Sequence, residues 1–137
     1  YNRQFGRKAG DAVLKQVGRA LAAAVGRPGD LVARYHRDEF AMVLASTDRA
    51  GAFNIAGHVR ECVEALQVPA AQDAPAGVLT ASVATATAVP HRESAWEELD
   101  LIKAARHALR EARATGGNRV LRANLGIAGP PELVSRT

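Results

Sequence analysis

Apolar positions in this chain change their period several times, and each change marks an element. Leu14, Val17, Leu21 and Val25 recur at helical spacing, so a helix is predicted from near Asp11, a good N-terminal residue, to a stop at Gly26 and Pro28. Arg27-Pro28-Gly29-Asp30 is then a tight turn centred on Pro-Gly. Residues 31–45 hold two apolar runs around a polar knot, 35–39. Strands this close in sequence form an antiparallel hairpin with the knot at its tip. The second run, 40–45, is near-continuously apolar, as in a strand buried on both faces. Ser46-Thr47-Asp48 caps a second helix whose apolar stripe is Ile55, Val59, Cys62, Val63 and Leu66.

Residues 67–76 read as a loop, and 77–89, rich in Val, Thr and Ala, as a strand ended by Pro90. Ser94-Ala95-Trp96-Glu97 has the form of a capping box. It opens a third helix running to about Ala114, with Leu101, Ile102, Ala105, Leu109 and Ala112 inward. Thr115-Gly116-Gly117-Asn118 turns the chain into a short strand, 119–122. The Gly/Pro-rich stretch 126–131 lies in a C-terminal tail or linker, 124–137. Helix, strand, strand, helix, strand, helix, strand describes an α+β sandwich, with helices on a mostly antiparallel sheet.

Composition narrows the chemistry. At 137 residues the chain is long enough for one domain with a core, and alanine carries much of its 47% apolar share. Close helix–sheet contact is therefore expected to matter more than aromatic packing. Net charge is +4 and arginines are scattered without an aromatic-rich basic stripe, a balance that suits small phosphorylated ligands as well as nucleic acid; the arginines of the last helix read as a solvated face, so no nucleic-acid partner is expected. The single cysteine, Cys62, excludes an internal disulfide and a cysteine metal cluster. His36, His58, His91 and His107 lack metal-ligand spacing with one another. No run approaches the roughly 18 apolar residues of a membrane span, no signal-peptide pattern opens the sequence, and the expected compartment is the cytoplasm. The hairpin tip is the clearest chemical feature. Asp38 and Glu39 are adjacent carboxylates on rigid backbone, suited to a divalent cation and a phosphate; the alternative is a solvated polar turn.

Arg34-Tyr35-His36-Arg37-Asp38-Glu39-Phe40 resembles the signature of GGDEF domains, the diguanylate cyclases, usually Arg-Tyr-Gly-Gly-Asp/Glu-Glu-Phe. Further segments match in the family's order: Tyr1-Asn2 and Gly6, Ala9-Gly10-Asp11 with Val13-Leu14, and Asp30-Leu31-Val32-Ala33-Arg34-Tyr35. Later come Leu79-Thr80-Ala81-Ser82-Val83-Ala84, then Ala112-Arg113 with Gly116-Gly117-Asn118-Arg119-Val120. The resemblance covers residues 1–123 and implies a fold akin to nucleotidyl cyclases and polymerase palms. It also implies paired domains that each hold GTP with Mg²⁺ and condense two GTP into cyclic di-GMP. Asn2 and Asp11 match the residues that read guanine. Asp38 matches the metal-binding acid, Glu39 its neighbour, and Arg113 stands at a phosphate-contacting lysine. Arg27 and Asp30 have the Arg-x-x-Asp spacing of the family's inhibitory cyclic di-GMP site, with Arg60 near a second product-binding arginine.

The departures shape the expectation. His36 and Arg37 replace the two glycines that leave room for phosphates, and Arg3 replaces the usual aspartate after Asn2. The family's other metal-binding aspartate lies on a strand before Asn2, outside this sequence. That strand is expected from preceding residues, from another chain, or from a changed sheet order. The expected function is a catalytically degenerate module that binds cyclic di-GMP or GTP, with Mg²⁺ only alongside GTP. Its expected partners are a second copy or an adjoining sensor or phosphodiesterase domain. The alternatives are an active diguanylate cyclase and a ligand-free dimerisation scaffold.

Overall fold

A computed structural model describes residues 7–70, 76–88, 98–123 and 134–136. The fold is α+β, in two compact units: residues 1–46 with 61–80, and residues 47–60 with 81–137.

In the first unit, helix α1 spans Arg7–Ala24 and buries Val17, Leu21 and Val25 along the stripe predicted for it. It begins earlier than expected, so Asp11 is an exposed residue inside the helix and does not start it. Strands β1 (Leu31–His36) and β2 (Glu39–Val43) pair antiparallel. Their register runs from Leu31↔Val43 to Arg34↔Phe40, then slips to His36↔Glu39, which puts one extra residue on the β1 side. Helix α1 approaches this hairpin through Gly18, where a β-carbon would lie 3.4 Å from the Phe40 ring.

The prediction that 40–45 is buried on both faces is corrected. Phe40, Met42 and Leu44 are half-buried, whereas Ala41 is exposed and Val43 is 60% exposed. On β1, Leu31 and Tyr35 are exposed in the same way. The ladder explains the alternation. Directly paired residues share a face, so Leu31 with Val43, and Ala33 with Ala41, lie on one face. Phe40 lies on the other, against α1.

Helix α2 spans Arg49–Ala65. Asp48 caps it: Oδ1 accepts from the Gly51 amide at 2.7 Å, and its carbonyl accepts from Ala52. Val59 and Val63 of the predicted stripe are fully buried, with Ala52 and Ala56 beside them in sequence periodicity. Gln67, at a φ of 53°, closes the helix end, after which a bridge joins Pro69 to Val78.

In the second unit, β3 is only Val83–Ala86, shorter than the predicted 77–89. Helix α3 is Glu98–Ala114, ending where predicted; the capping box at 94–97 lies outside the described residues. Strand β4 is Val120–Ala123, one residue later than expected. The crossover through α3 makes β3 and β4 parallel. Strand β5, Val134–Arg136, lies antiparallel on β4, within the stretch expected as tail.

The core between α3 and this sheet is built from small side chains. Ala104, Ala108 and Ala112 pack with Leu121 and Ala123, and with Ala84 and Ala86. This alanine face, at four-residue spacing, lets the helix sit close to the strands. It rotates the predicted stripe: Ala112 is fully buried as expected and Leu101, Ala105 and Leu109 are half-buried, but Ile102 is 43% exposed, contrary to its expected inward position. On the opposite face of β4, the Arg122 guanidinium lies 5.4 Å from the Phe53 ring centroid. Among the described residues, no helix is long and apolar enough to cross a membrane.

Candidate functional site

The hairpin tip is a two-residue turn, Arg37 and Asp38, between the paired residues His36 and Glu39. Arg37 adopts a φ of 38°, in the left-handed region that glycine occupies without cost. The turn is fastened from below, where Arg34 Nε donates to the Arg37 carbonyl at 2.6 Å. His36, Arg37 and Asp38 are exposed, and Glu39 is half-buried. The two carboxylates thus occupy neighbouring positions at a rim. Among the described residues no group of three or more His, Cys, Asp and Glu converges on a common point.

At the root of the same hairpin, Arg27-Pro28-Gly29-Asp30 closes as a turn, with the Asp30 amide donating to the Arg27 carbonyl at 3.1 Å. Pro28 presets its φ and Gly29 takes a φ of 88°, which is the type II pattern. The side chains of Arg27 and Asp30 are brought together. Arg27 Nε donates to Asp30 Oδ2 at 2.7 Å, and Asp30 Oδ1 accepts from the Ala45 amide at 3.0 Å. The Arg27 hydrogen bond holds the Asp30 carboxyl below its ordinary value. Burial opposes that shift, and the Ala45 amide and the arginine's charge reinforce it.

The other predicted residues separate into distinct settings. Arg60, on α2, donates through Nη1 to Asn118 Oδ1 at 2.9 Å. Asn118 belongs to the loop after α3, where Gly116, Gly117 and Asn118 all have positive φ. Gly117 N–H bonds to the Ala112 carbonyl and Gly116 N–H to the Arg113 carbonyl, which is a Schellman closure of the helix. Arg113 is exposed on the last turn of α3, and Asp11 is exposed on α1. Asn2 lies outside the described residues.

Two partners were missed by sequence reasoning. Asn118 had a signal, because Asn after Gly-Gly tolerates left-handed backbone and offers a side-chain oxygen. Ala45 had none, since its contribution is a backbone amide.

With this geometry in place, comparison with known proteins decides the family. The profile of the diguanylate cyclase GGDEF domain matches residues 1–119. The chain belongs to the GGDEF family. A relative from Escherichia coli (strain K12), the probable diguanylate cyclase DgcT, is 33% identical over 120 residues. That match covers 88% of this chain and 26% of DgcT, so the chain spans about a quarter of that relative's length. Solved GGDEF domains share the fold. The GGDEF domain of DgcB from Caulobacter crescentus, in complex with c-di-GMP, superposes with a TM-score of 0.70 at 21% identity, covering 88% of this chain and 68% of that one. The active GGEEF domain of a diguanylate cyclase from Vibrio cholerae gives 0.69 at 22% identity, covering 91% and 75%.

Proposed function

We propose that this GGDEF domain acts in cyclic di-GMP signalling as a regulatory module that binds a guanine nucleotide and no longer condenses GTP. The observation that carries this reading is Arg37 at the signature's second glycine position, in left-handed backbone. The turn keeps the shape that a glycine serves, and a long cationic side chain now stands where phosphates would approach the backbone. His36 adds a ring beside it. Arg27, half-exposed beside Asp30, gives the module a guanidinium that can fork onto guanine or phosphate.

Mg²⁺ would enter only with a nucleotide. GGDEF cyclases generally use it, and it prefers octahedral oxygen coordination completed by phosphates and water. Asp38, with Glu39 beside it, fits one edge of such a shell and supplies no closed protein cage. The ion would neutralise phosphate charge there. The nucleotide's guanine would fall to Asn2 and Asp11, as the family resemblance assigns them.

Incubation with GTP and Mg²⁺, followed by chromatography of the nucleotides, tests the catalytic half of this proposal; the expected result is no cyclic di-GMP above a buffer blank. Calorimetry with cyclic di-GMP and with GTP tests the binding half, and no heat from either at about 100 μM would defeat it. Asp38, Glu39 and Arg113 favour the alternative of an active cyclase, and product formation in the first assay would establish that instead.

A further inference from the structure

The outward face of α3 carries a row of cations that the proposed nucleotide contacts do not use. We propose that this face docks an acidic amphipathic helix of a partner polypeptide.

At about 100° per residue, the direction opposite Ala104, Ala108 and Ala112 holds Leu99, Lys103, Arg106 and Arg110, with Ile102 beside them. All five are exposed, Leu99 by 55% and Ile102 by 43%. Lys103, Arg106 and Arg110 follow at three- and four-residue spacing. They form one line about 10 Å long, with no acidic residue in it. Asp100 and Glu111 lie together on one flank of the line, and Ile102 and Leu109 on the other. Arg113 continues the row, but it stands at the family's phosphate-contacting position and is no part of this contact. Like charges at this spacing repel along a helix, so the row weakens α3 when nothing opposes it. Among the described residues, Lys103 and Arg110 have no ion-pair partner.

Charge complementarity names the occupant. A helix with Glu or Asp three and four residues apart meets the row over its whole length. A large apolar side chain at one end of that helix covers Leu99 and Ile102, in the manner of an amphipathic helix seated by its anchors. A bilayer fits less well, because the continuous apolar stripe of α3 is its alanine face, which is already buried on the sheet. The acidic flank at Asp100 and Glu111 also repels any broad phosphate surface, whereas one narrow helix follows the row without crossing it.

The experiment uses the whole chain and a fluorescein-labelled synthetic peptide of about 20 residues, with Glu at three- and four-residue spacing, Leu beside that row and Ala elsewhere. A control peptide has the same composition scrambled so that no face is acidic. Fluorescence anisotropy is expected to show the patterned peptide binding below about 100 μM, and about ten-fold more tightly than the scrambled one. The double variant Lys103→Gln, Arg110→Gln is expected to weaken binding about ten-fold, and Ile102→Ser about three-fold, with melting midpoints close to the parent's. NMR of the parent is expected to show the amide shifts of residues 99–110 moving on addition of the peptide. Equal binding of the two peptides would mean that net charge alone acts, and overturns the proposal. Absence of binding by the parent at about 100 μM, or undiminished binding by the folded double variant, overturns it as well. If vesicles of phosphatidylserine and phosphatidylcholine retain the parent but not the double variant, while the patterned peptide stays unbound, the face belongs to a membrane and the helix partner is refuted.

Discussion

Arg60 and Asn118 are 58 residues apart in sequence, yet the guanidinium of one meets the side-chain oxygen of the other at 2.9 Å. The bond ties the middle of α2 to the left-handed loop that follows α3. Asn118 holds a φ of 49°, a left-handed conformation that asparagine adopts more readily than most residues. Arg60→Ala is expected to destabilise the protein by about 1.5–3 kcal/mol, the range for a hydrogen bond to a charged group. Asn118→Ala should cost a similar amount, and the double variant should cost clearly less than the sum. Thermal unfolding of the four proteins measures this coupling. Strict additivity would show that the contact carries no energy, and would return Arg60 to the ligand role that its place in the family suggested.

Arg37 offers a test of the signature turn. Its left-handed backbone costs about 1–2 kcal/mol relative to glycine. Glycine returns about 0.4–1 kcal/mol of that gain to the entropy of the unfolded chain. Arg37→Gly is therefore expected to raise stability by up to about 1.5 kcal/mol, and the midpoint of thermal melting by several degrees at most. A β-branched residue fits left-handed backbone worse than arginine, so Arg37→Val should lower it. A lower midpoint for Arg37→Gly would mean that the arginine side chain stabilises the tip by more than its backbone costs.

Asp30 predicts a specific acid limb. The folded state holds its carboxyl below the ordinary 3.8, chiefly through the Arg27 hydrogen bond. A carboxyl whose folded pKa is depressed contributes stability that is fully present above the unfolded value. That contribution is lost as pH falls through the folded value, because the unfolded chain binds the proton first. The parent should therefore be more stable than Arg27→Ala above about pH 5, with the gap narrowing from about pH 4 downward. Melting curves of both proteins across that range provide the measurement. A gap that stays constant into acid would assign the difference to something other than this ion pair.

How far the fold could be read in advance follows the physical kind of signal. Elements with a strong period were legible: α1 through Val17 and Leu21, α2 through Val59 and Val63, and the hairpin through its two apolar runs. The inner face of α3 was legible only in part: Ala112 was placed inward and is fully buried, but Ala104 and Ala108 were passed over because leucine and isoleucine outrank alanine in hydropathy. Close packing on the β-sheet selected Ala104, Ala108 and Ala112 and left Ile102 exposed. Position 40–45 looked buried on both sides because apolar composition does not record how many layers cover a strand. At the site, the carboxylates and the Arg-x-x-Asp spacing were visible as residue types. The Ala45 amide, which turns Asp30 into part of the hairpin's foundation, could not be seen, since every residue but proline carries the same donor.

Thr85 supplies the last prediction, and it concerns a polar group that the core does not satisfy. Its side chain lies on the β3 face turned away from the alanines of α3, with 9% of the residue exposed. Among the described residues its Oγ1 has no hydrogen-bond partner. A buried hydroxyl in that state costs about 1–3 kcal/mol against water. Valine has nearly the same shape, keeps the β-branched preference for a strand, and removes the oxygen. Thr85→Val is thus expected to stabilise the protein by about 1 kcal/mol. Thr85→Ser keeps the hydroxyl, deletes a buried methyl group, and should destabilise by about 1 kcal/mol. Denaturant unfolding of both variants separates the two contributions. A destabilised Thr85→Val would mean that the hydroxyl is solvated or bonded in the folded protein, because only a lost hydrogen bond could outweigh the relief of its burial.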